Sequence, residues 1–340
     1  MRKILLLCLI ALMLISSTAC DTTSAQPIDP LPKVVMVASE GGLGDESFND
    51  MAYEGILRAA EDYEIEVKVE EPETRDAYIE TISQSASEGA DLVIAVGHIK
   101  ADDLQEIAEQ NPETLFAVVD SEEEAPDNVM SLSFKEEEGA FLVGVIAAMS
   151  TESQTLGLVG GAEDGTMDGF EYGYRAGIKS VNPEAKVLVE YTGRFDDAEA
   201  GKVAALALID EGADVLFHAS GECGIGVIEA ADERGVWAIG VDKDQSYIDP
   251  DTVLCSMFKR VDNGVYLSIQ SFLDGKFEGG VYNFGLDFEA VGYSDEAENL
   301  TEETKAQADL YAAAILAEDI FVPENREQFE EFKVPDIVQE

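Results

Sequence analysis

From Val34 onward, short apolar runs alternate with longer amphipathic stretches. The runs Val34–Ala38, Ile65–Val69, Leu92–Val96, Leu115–Val119 and Val129–Phe134 are rich in β-branched and aromatic residues, and they read as buried strands. Between them, Asn49–Tyr63 carries Ala52, Ile56, Ala59, Ala60 and Tyr63 at helical spacing, and Tyr78–Ser87 and Asp102–Gln110 read the same way. Strand and helix in strict alternation predict a parallel sheet with helices on both faces.

The pattern then restarts. Strands are expected at Leu156–Val159, Val187–Tyr191, Val215–His218 and Val236–Val241, with helices near Asp168–Ile178, Ala198–Ile209 and Ile225–Glu233. Two α/β series of similar size predict two lobes rather than one very wide sheet. A further strand, Thr252–Met257, and a helix, Val261–Leu273, follow. The tail from Glu289 is acidic and helical, most clearly over Thr304–Leu316.

Ahead of the first strand the chain reads differently. Met1-Arg2-Lys3 is a short basic start, Ile4–Ile15 is apolar, and Ser16-Ser17-Thr18-Ala19 leads into Cys20. An apolar run this short suits a signal peptide, here residues 1–19, better than a bilayer span. Ser17-Thr18-Ala19-Cys20 resembles a lipobox, with Ser17 where leucine is usual, so Cys20 is the expected lipidation site. Residues 20–32 then form a polar tether, and a lipid is the expected anchor to the membrane.

Composition narrows the choice. The 340 residues are 46% hydrophobic, enough for two packed lobes. Four cysteines (Cys8, Cys20, Cys223, Cys255) make no disulfide framework, and with only His98 and His218 no metal site is expected. Asp and Glu number 71 against 21 Lys and Arg, a net charge of −50. Such a surface repels nucleic acid. The acids are spread over the whole chain, which reads as a solvated shell suited to high salt rather than a site for cations.

Ligands of open parallel sheets sit beyond the carboxyl ends of the strands. The segment after the first strand, Ser39 to Asp50, is glycine-rich and holds Asp45, Phe48 and Asn49. Later strand ends carry Asp120, Thr192 to Asp197 with Phe195, Ala219 to Gly224 with Gly221, Asp242, and Phe258-Lys259. Carboxylates accept paired hydrogen bonds from vicinal hydroxyls, aromatic faces stack on flat rings, and an amide reads a base edge. The mixture suits a sugar bearing a heterocycle and suits a phosphate poorly. Taken singly, each residue has a plainer role: Phe48 as a staple, Asn49 and Asp50 as helix caps, Asp120 and Asp242 as turn caps, Lys259 in a surface ion pair. Phe195 in a polar loop is the hardest to explain as core.

Competing motifs are weaker. Gly221-Glu222-Cys223-Gly224-Ile225-Gly226 lacks the GxGxxG spacing, so no nucleotide cofactor is expected. Asp242 to Val253 lacks the glycine and glutamate of a calcium loop, having Tyr247 and Val253 there. Cys223 could serve as a nucleophile, but neither histidine has an evident orienting partner, so catalysis is not expected.

Several segments in order resemble the basic membrane protein family of lipoproteins, the PnrA-like purine-nucleoside-binding proteins. They are Gly44-Asp45-Glu46-Ser47-Phe48-Asn49, Ala117-Val118-Val119-Asp120-Ser121, Gly139-Ala140-Phe141-Leu142-Val143-Gly144, Val159-Gly160-Gly161, Phe195-Asp196-Asp197, Ile239-Gly240-Val241-Asp242-Lys243-Asp244-Gln245 and Ser256-Met257-Phe258-Lys259. The resemblance implies an α/β type I periplasmic-binding fold whose two doubly wound lobes are joined by three crossings. We expect residues 33–134 with 248–280 in the N-terminal lobe, and 135–247 with 281–340 in the C-terminal lobe. By the same resemblance, Phe48 and Phe195 sandwich a base and Asp45 and Asn49 lie near its edge. Asp120, Asp242 and Lys259 hold ribose hydroxyls, and backbone near Gly221 lines the pocket. The implied partners are a nucleoside, purine favoured, and an ABC transporter permease. The expected protein is a monomer on the outer face of the cell membrane, either delivering cargo or sensing it for a receptor; another sugar-like solute is the alternative ligand. Ala219-Ser220-Gly221-Glu222-Cys223-Gly224 departs from the family's usual Ala-Gly-Gly-Thr-Gly.

Overall fold

A computed structural model describes residues 30–39, 41–122, 126–163 and 165–334. The expected signal peptide and Cys20 lie outside these residues. The first series runs β1 (Lys33–Val37), α1 (Phe48–Asp62), β2 (Glu66–Glu70), α2 (Arg75–Ser87), β3 (Leu92–Val96), α3 (Ala101–Gln110), β4 (Leu115–Val119) and β5 (Val129–Phe134). The second runs α4 (Glu136–Ser150), β6 (Thr155–Gly160), α5 (Gly165–Val181), β7 (Lys186–Tyr191), α6 (Ala198–Asp210), β8 (Val215–Ala219), α7 (Cys223–Arg234), β9 (Trp237–Asp242) and β10 (Val253–Lys259). Then come α8 (Val261–Leu273), β11 (Gly280–Phe284), β12 (Val291–Ser294), α9 (Glu302–Leu316) and α10 (Arg326–Glu331).

Among the described residues two six-stranded sheets form, ordered β11-β5-β4-β3-β1-β2 and β12-β10-β9-β8-β6-β7. The sheets correspond strand for strand, and all pairs are parallel except β10 with β12. The expected two-lobed α/β fold is therefore present. In each sheet the chain starts second from one edge, so connections leave in opposite directions from β1 and β3, and again from β6 and β8. Such a point opens a crevice at the carboxyl edge.

The lobe boundaries differ from those expected. The strand at 253–259, assigned to the first lobe, pairs with β9 and β12 in the second sheet. The strand at 280–284 pairs with β5 and completes the first sheet. The chain thus passes between sheets after Phe134, Lys259 and Phe284. Val253, Leu254, Cys255, Ser256 and Met257 are all buried, so β10 needs neighbours on both sides, which the second sheet supplies. Lys135 N donates to Phe284 O (2.9 Å) and Arg260 N to Ala290 O (2.7 Å), tying the crossing segments together.

Helix α4 is apolar nearly all round and buried along most of its length, so it shows no helical stripe in the sequence. It packs on α5 at backbone distance: a Cβ on Gly144 would meet Tyr174 O at 2.3 Å, and one on Gly177 would meet Phe141 O at 2.0 Å.

Candidate ligand-binding site

The carboxyl edges of both sheets border a cavity of about 500 Å³. Asp45, Phe48, Asn49, Asp120, Phe195, Gly221, Asp242 and Lys259 all line it. The loops after β1, β2, β3, β4, β7 and β8 contribute, with Asp242 and Lys259 at the ends of β9 and β10 and Phe170 from α5.

The start of α1 is built by Asp45. Its carboxylate accepts from the backbone N–H groups of Ser47 (3.0 Å), Asn49 (2.9 Å) and Asp50 (3.2 Å) and from Asn49 Nδ2 (3.0 Å). It thereby satisfies the open donors of the helix. Burial still raises its pKa above the ordinary value, against those hydrogen bonds. Asn49 and Asp50 are not the caps. Asn49 Oδ1 accepts from Ser39 N (2.9 Å) and Ser39 Oγ (3.1 Å), which aims the amide across the loop. Asp50 holds the loop through Gly44 N (2.8 Å) and Glu46 N (3.0 Å). Phe48, the first helical residue, is thus set at the cavity wall.

Asp120 and Asp242 stand at the ends of the corresponding strands β4 and β9, and both have positive φ, +59° and +67°. Non-glycine residues rarely adopt this conformation, and it clusters at binding sites. Lys259, 1% exposed, puts Nζ 2.7 Å from Asp120 Oδ1 and 2.8 Å from Oδ2. Both carboxylate oxygens of Asp120 thus lie against the ammonium in a buried ion pair. Glu136 Oε2 lies 3.9 Å from the same ammonium. Burial alone would lower the lysine pKa, but Asp120, Glu136 and Asp242 together hold it above the ordinary value. Burial likewise raises Glu136, and pushes Asp242 up to about 6 despite Lys259. Lys259 Nζ also sits 5.4 Å from the centres of the Phe48 and Phe134 rings and 5.5 Å from that of Phe170.

Phe195 comes from the β7–α6 loop. Its ring lies on Gly161, where a Cβ would fall 2.0 Å from Cε1, and its backbone carbonyl packs on Gly221. Asp197, capping α6 through Glu199 N (3.1 Å) and Ala200 N (3.2 Å), fixes the end of this loop.

A family model described as ABC transporter substrate-binding protein PnrA-like matches residues 32–326. The chain belongs to this PnrA-like family of substrate-binding proteins. It is 35% identical to basic membrane protein A2 of Borrelia garinii, over 89% of this chain and 91% of the relative. It is 34% identical to the CD4+ T-cell-stimulating antigen of Listeria innocua, over 86% and 88%. Among solved structures, an ABC transporter solute-binding protein from Aeropyrum pernix superimposes with a TM-score of 0.81 at 29% identity, covering 89% of this chain and 96% of that one. A transcriptional activator of the comK gene from Bacillus halodurans shares the fold, with a TM-score of 0.71 at 24% identity over 85% and 99%. A solute-binding role follows, on the type I periplasmic-binding fold; the family is one of binding proteins, not enzymes.

In this PnrA-like protein the lobes touch beside the cavity. Ser47 Oγ donates to Asp242 Oδ2, and Tyr247 OH donates to Glu46 Oε2. Lys243 Nζ lies 3.2 Å from Glu46 Oε2, and Gln245 Nε2 donates to Glu46 O at 2.9 Å. Gln245 Oε1 accepts from Val241 N (2.9 Å), so His218 Nε2, 2.8 Å away, is the donor of that pair. Burial brings His218 down to about 4, keeping it neutral.

Sequence reasoning missed several wall residues. Phe170 lines the cavity but repeats at helical spacing within α5, which reads as core. Glu136, which lies near Lys259 but is not among the wall residues, sits in a run of acids that reads as a favourable helix start. Tyr78 donates to Val96 O (3.0 Å) and Gly97 O (3.1 Å) and so holds the β3 end. Ser220 looked like a neutral loop residue.

Proposed function

We propose that the chain captures a nucleoside, purine favoured, between its lobes and delivers it to an ABC importer permease. It works outside the cytoplasm, tethered by lipid on Cys20. The observation that carries this reading is the presence of Phe48 and Phe195, from opposite lobes, on the wall of one cavity that also holds Asp120, Asp242 and Lys259. Two phenyl faces suit a flat heterocycle, and two carboxylates beside an ammonium suit the hydroxyls of ribose. Closure removes these hydrogen bonds from water, and the ligand favours the closed form by its higher affinity for it. The permease reads that form.

Calorimetric titration against a panel of nucleosides, free bases and sugars, at several salt concentrations, tests the proposal. Purine nucleosides should bind with 1:1 stoichiometry, and ribose or base alone should bind far more weakly. Heat from another class of solute, with none from any nucleoside, would remove the proposal.

A further inference from the structure

Ser220 stands one residue beyond β8, 1% exposed and lining the cavity. Its hydroxyl has no hydrogen-bond partner among the described residues. A buried hydroxyl left so costs stability, and such groups mark places where a partner is supplied from elsewhere. The local fold does not need it. The turn is closed by backbone, with Cys223 N donating to Ser220 O at 3.1 Å.

Strand register locates the hydroxyl. Gly160 pairs with Ala219, so Ser220 is level with Gly161, on which the Phe195 ring lies. Phe217 pairs with Ile239, and the same register carried three residues on sets Ser220 level with Asp242. Along the edge of the second sheet the order of residues is therefore Gly161 beneath the Phe195 ring, then Ser220, then Asp242. If a nucleoside is the ligand, its base lies on the ring and its ribose reaches the carboxylate. The group between them is the glycosidic bond. In purines and pyrimidines alike, a hydrogen-bond acceptor flanks that bond.

We infer that Ser220 donates a hydrogen bond to this acceptor, N3 of a purine or O2 of a pyrimidine. The hydroxyl is thus a specificity-determining contact, one that recognises the base by an atom common to both classes. The inference rests on the nucleoside reading and adds to it one residue and one ligand atom. An adjacent C–H in place of that acceptor would leave the hydroxyl unpaired in the complex as well.

The test compares a purine nucleoside with its 3-deaza counterpart, in which N3 is a C–H, on the wild-type chain and on Ser220→Ala. By calorimetry the wild type should prefer the parent nucleoside by about tenfold. Ser220→Ala should lose about tenfold on the parent and little on the deaza compound, so that the preference disappears. Without ligand, Ser220→Ala should unfold at or above the wild-type temperature, because a buried unpaired hydroxyl has been removed. Equal weakening on both ligands, or a preference that survives the substitution, would overturn the inference while leaving the nucleoside reading intact. A wild type that binds no purine nucleoside would overturn both.

Discussion

At the scale of residues, the site combines groups with separate tasks. Phe195 is half-buried and rests on a glycine, so its ring is only partly committed to the core, and we propose that it serves the ligand. Phe195→Ala should therefore weaken nucleoside binding by about 1–3 kcal/mol, roughly a 5- to 150-fold rise in Kd by calorimetry, with little change in thermal stability. Asp242 behaves differently. Its folded-state pKa of about 6 lies above the ordinary 3.8, so the folded chain holds the proton more tightly than the unfolded one. That contribution is complete below about pH 3.8 and is lost as pH rises toward 6. Asp242→Asn should flatten the fall in unfolding free energy across this window by on the order of 3 kcal/mol, as read by urea denaturation. An unchanged slope would contradict the assignment. Binding should also weaken below about pH 6, where the carboxylate gains its proton and loses acceptor capacity. The place of Phe195 on the cavity wall could be read from sequence, because an aromatic in a polar loop is hard to explain as core. Phe170 could not, because its spacing is that of an ordinary buried helix face.

At the scale of elements, periodicity told most of the story, and its failures have physical causes. Helix α8 occupies the expected Val261–Leu273, since one apolar face against α1 leaves the 3.6-residue signal intact. Helix α4 was not expected, because a helix buried on all sides has no polar stripe to mark its period. Its packing gives a test. Gly177 brings α5 so close to α4 that a methyl group would meet the Phe141 carbonyl. Gly177→Ala should cost about 1–3 kcal/mol of unfolding free energy, because the helices must separate. The comparison substitution Gly165→Ala, where a Cβ would meet nothing within 4 Å, should cost far less. Strand β10 shows a different limit. Its apolar run announced a buried strand, but nothing local says which sheet a strand joins once the chain can cross between them.

At the scale of the whole molecule, two sheets with one strand order set two crevices face to face, and the sequence already showed the repetition that produces them. The contacts among Glu46, Lys243, Tyr247 and Gln245 join the lobes next to the cavity, and they were not legible, since residues some 200 apart meet only after folding. The net charge of −50 belongs to this scale too. Self-repulsion of an acidic shell opposes the folded state and is screened by salt. The unfolding temperature should accordingly rise by several degrees between 0.1 M and 2 M sodium chloride, as read by circular dichroism. A flat or falling curve would mean that the acids do not oppose folding.

We propose that a flat heterocycle lies between two phenyl rings, one from each lobe. The most direct measurement is a crystal structure of the chain grown with a purine nucleoside. The base should lie between Phe48 and Phe195, with the ribose hydroxyls on Asp120, Asp242 and Lys259. A base bound elsewhere, or a nucleoside turned so that its sugar meets the rings, would contradict it.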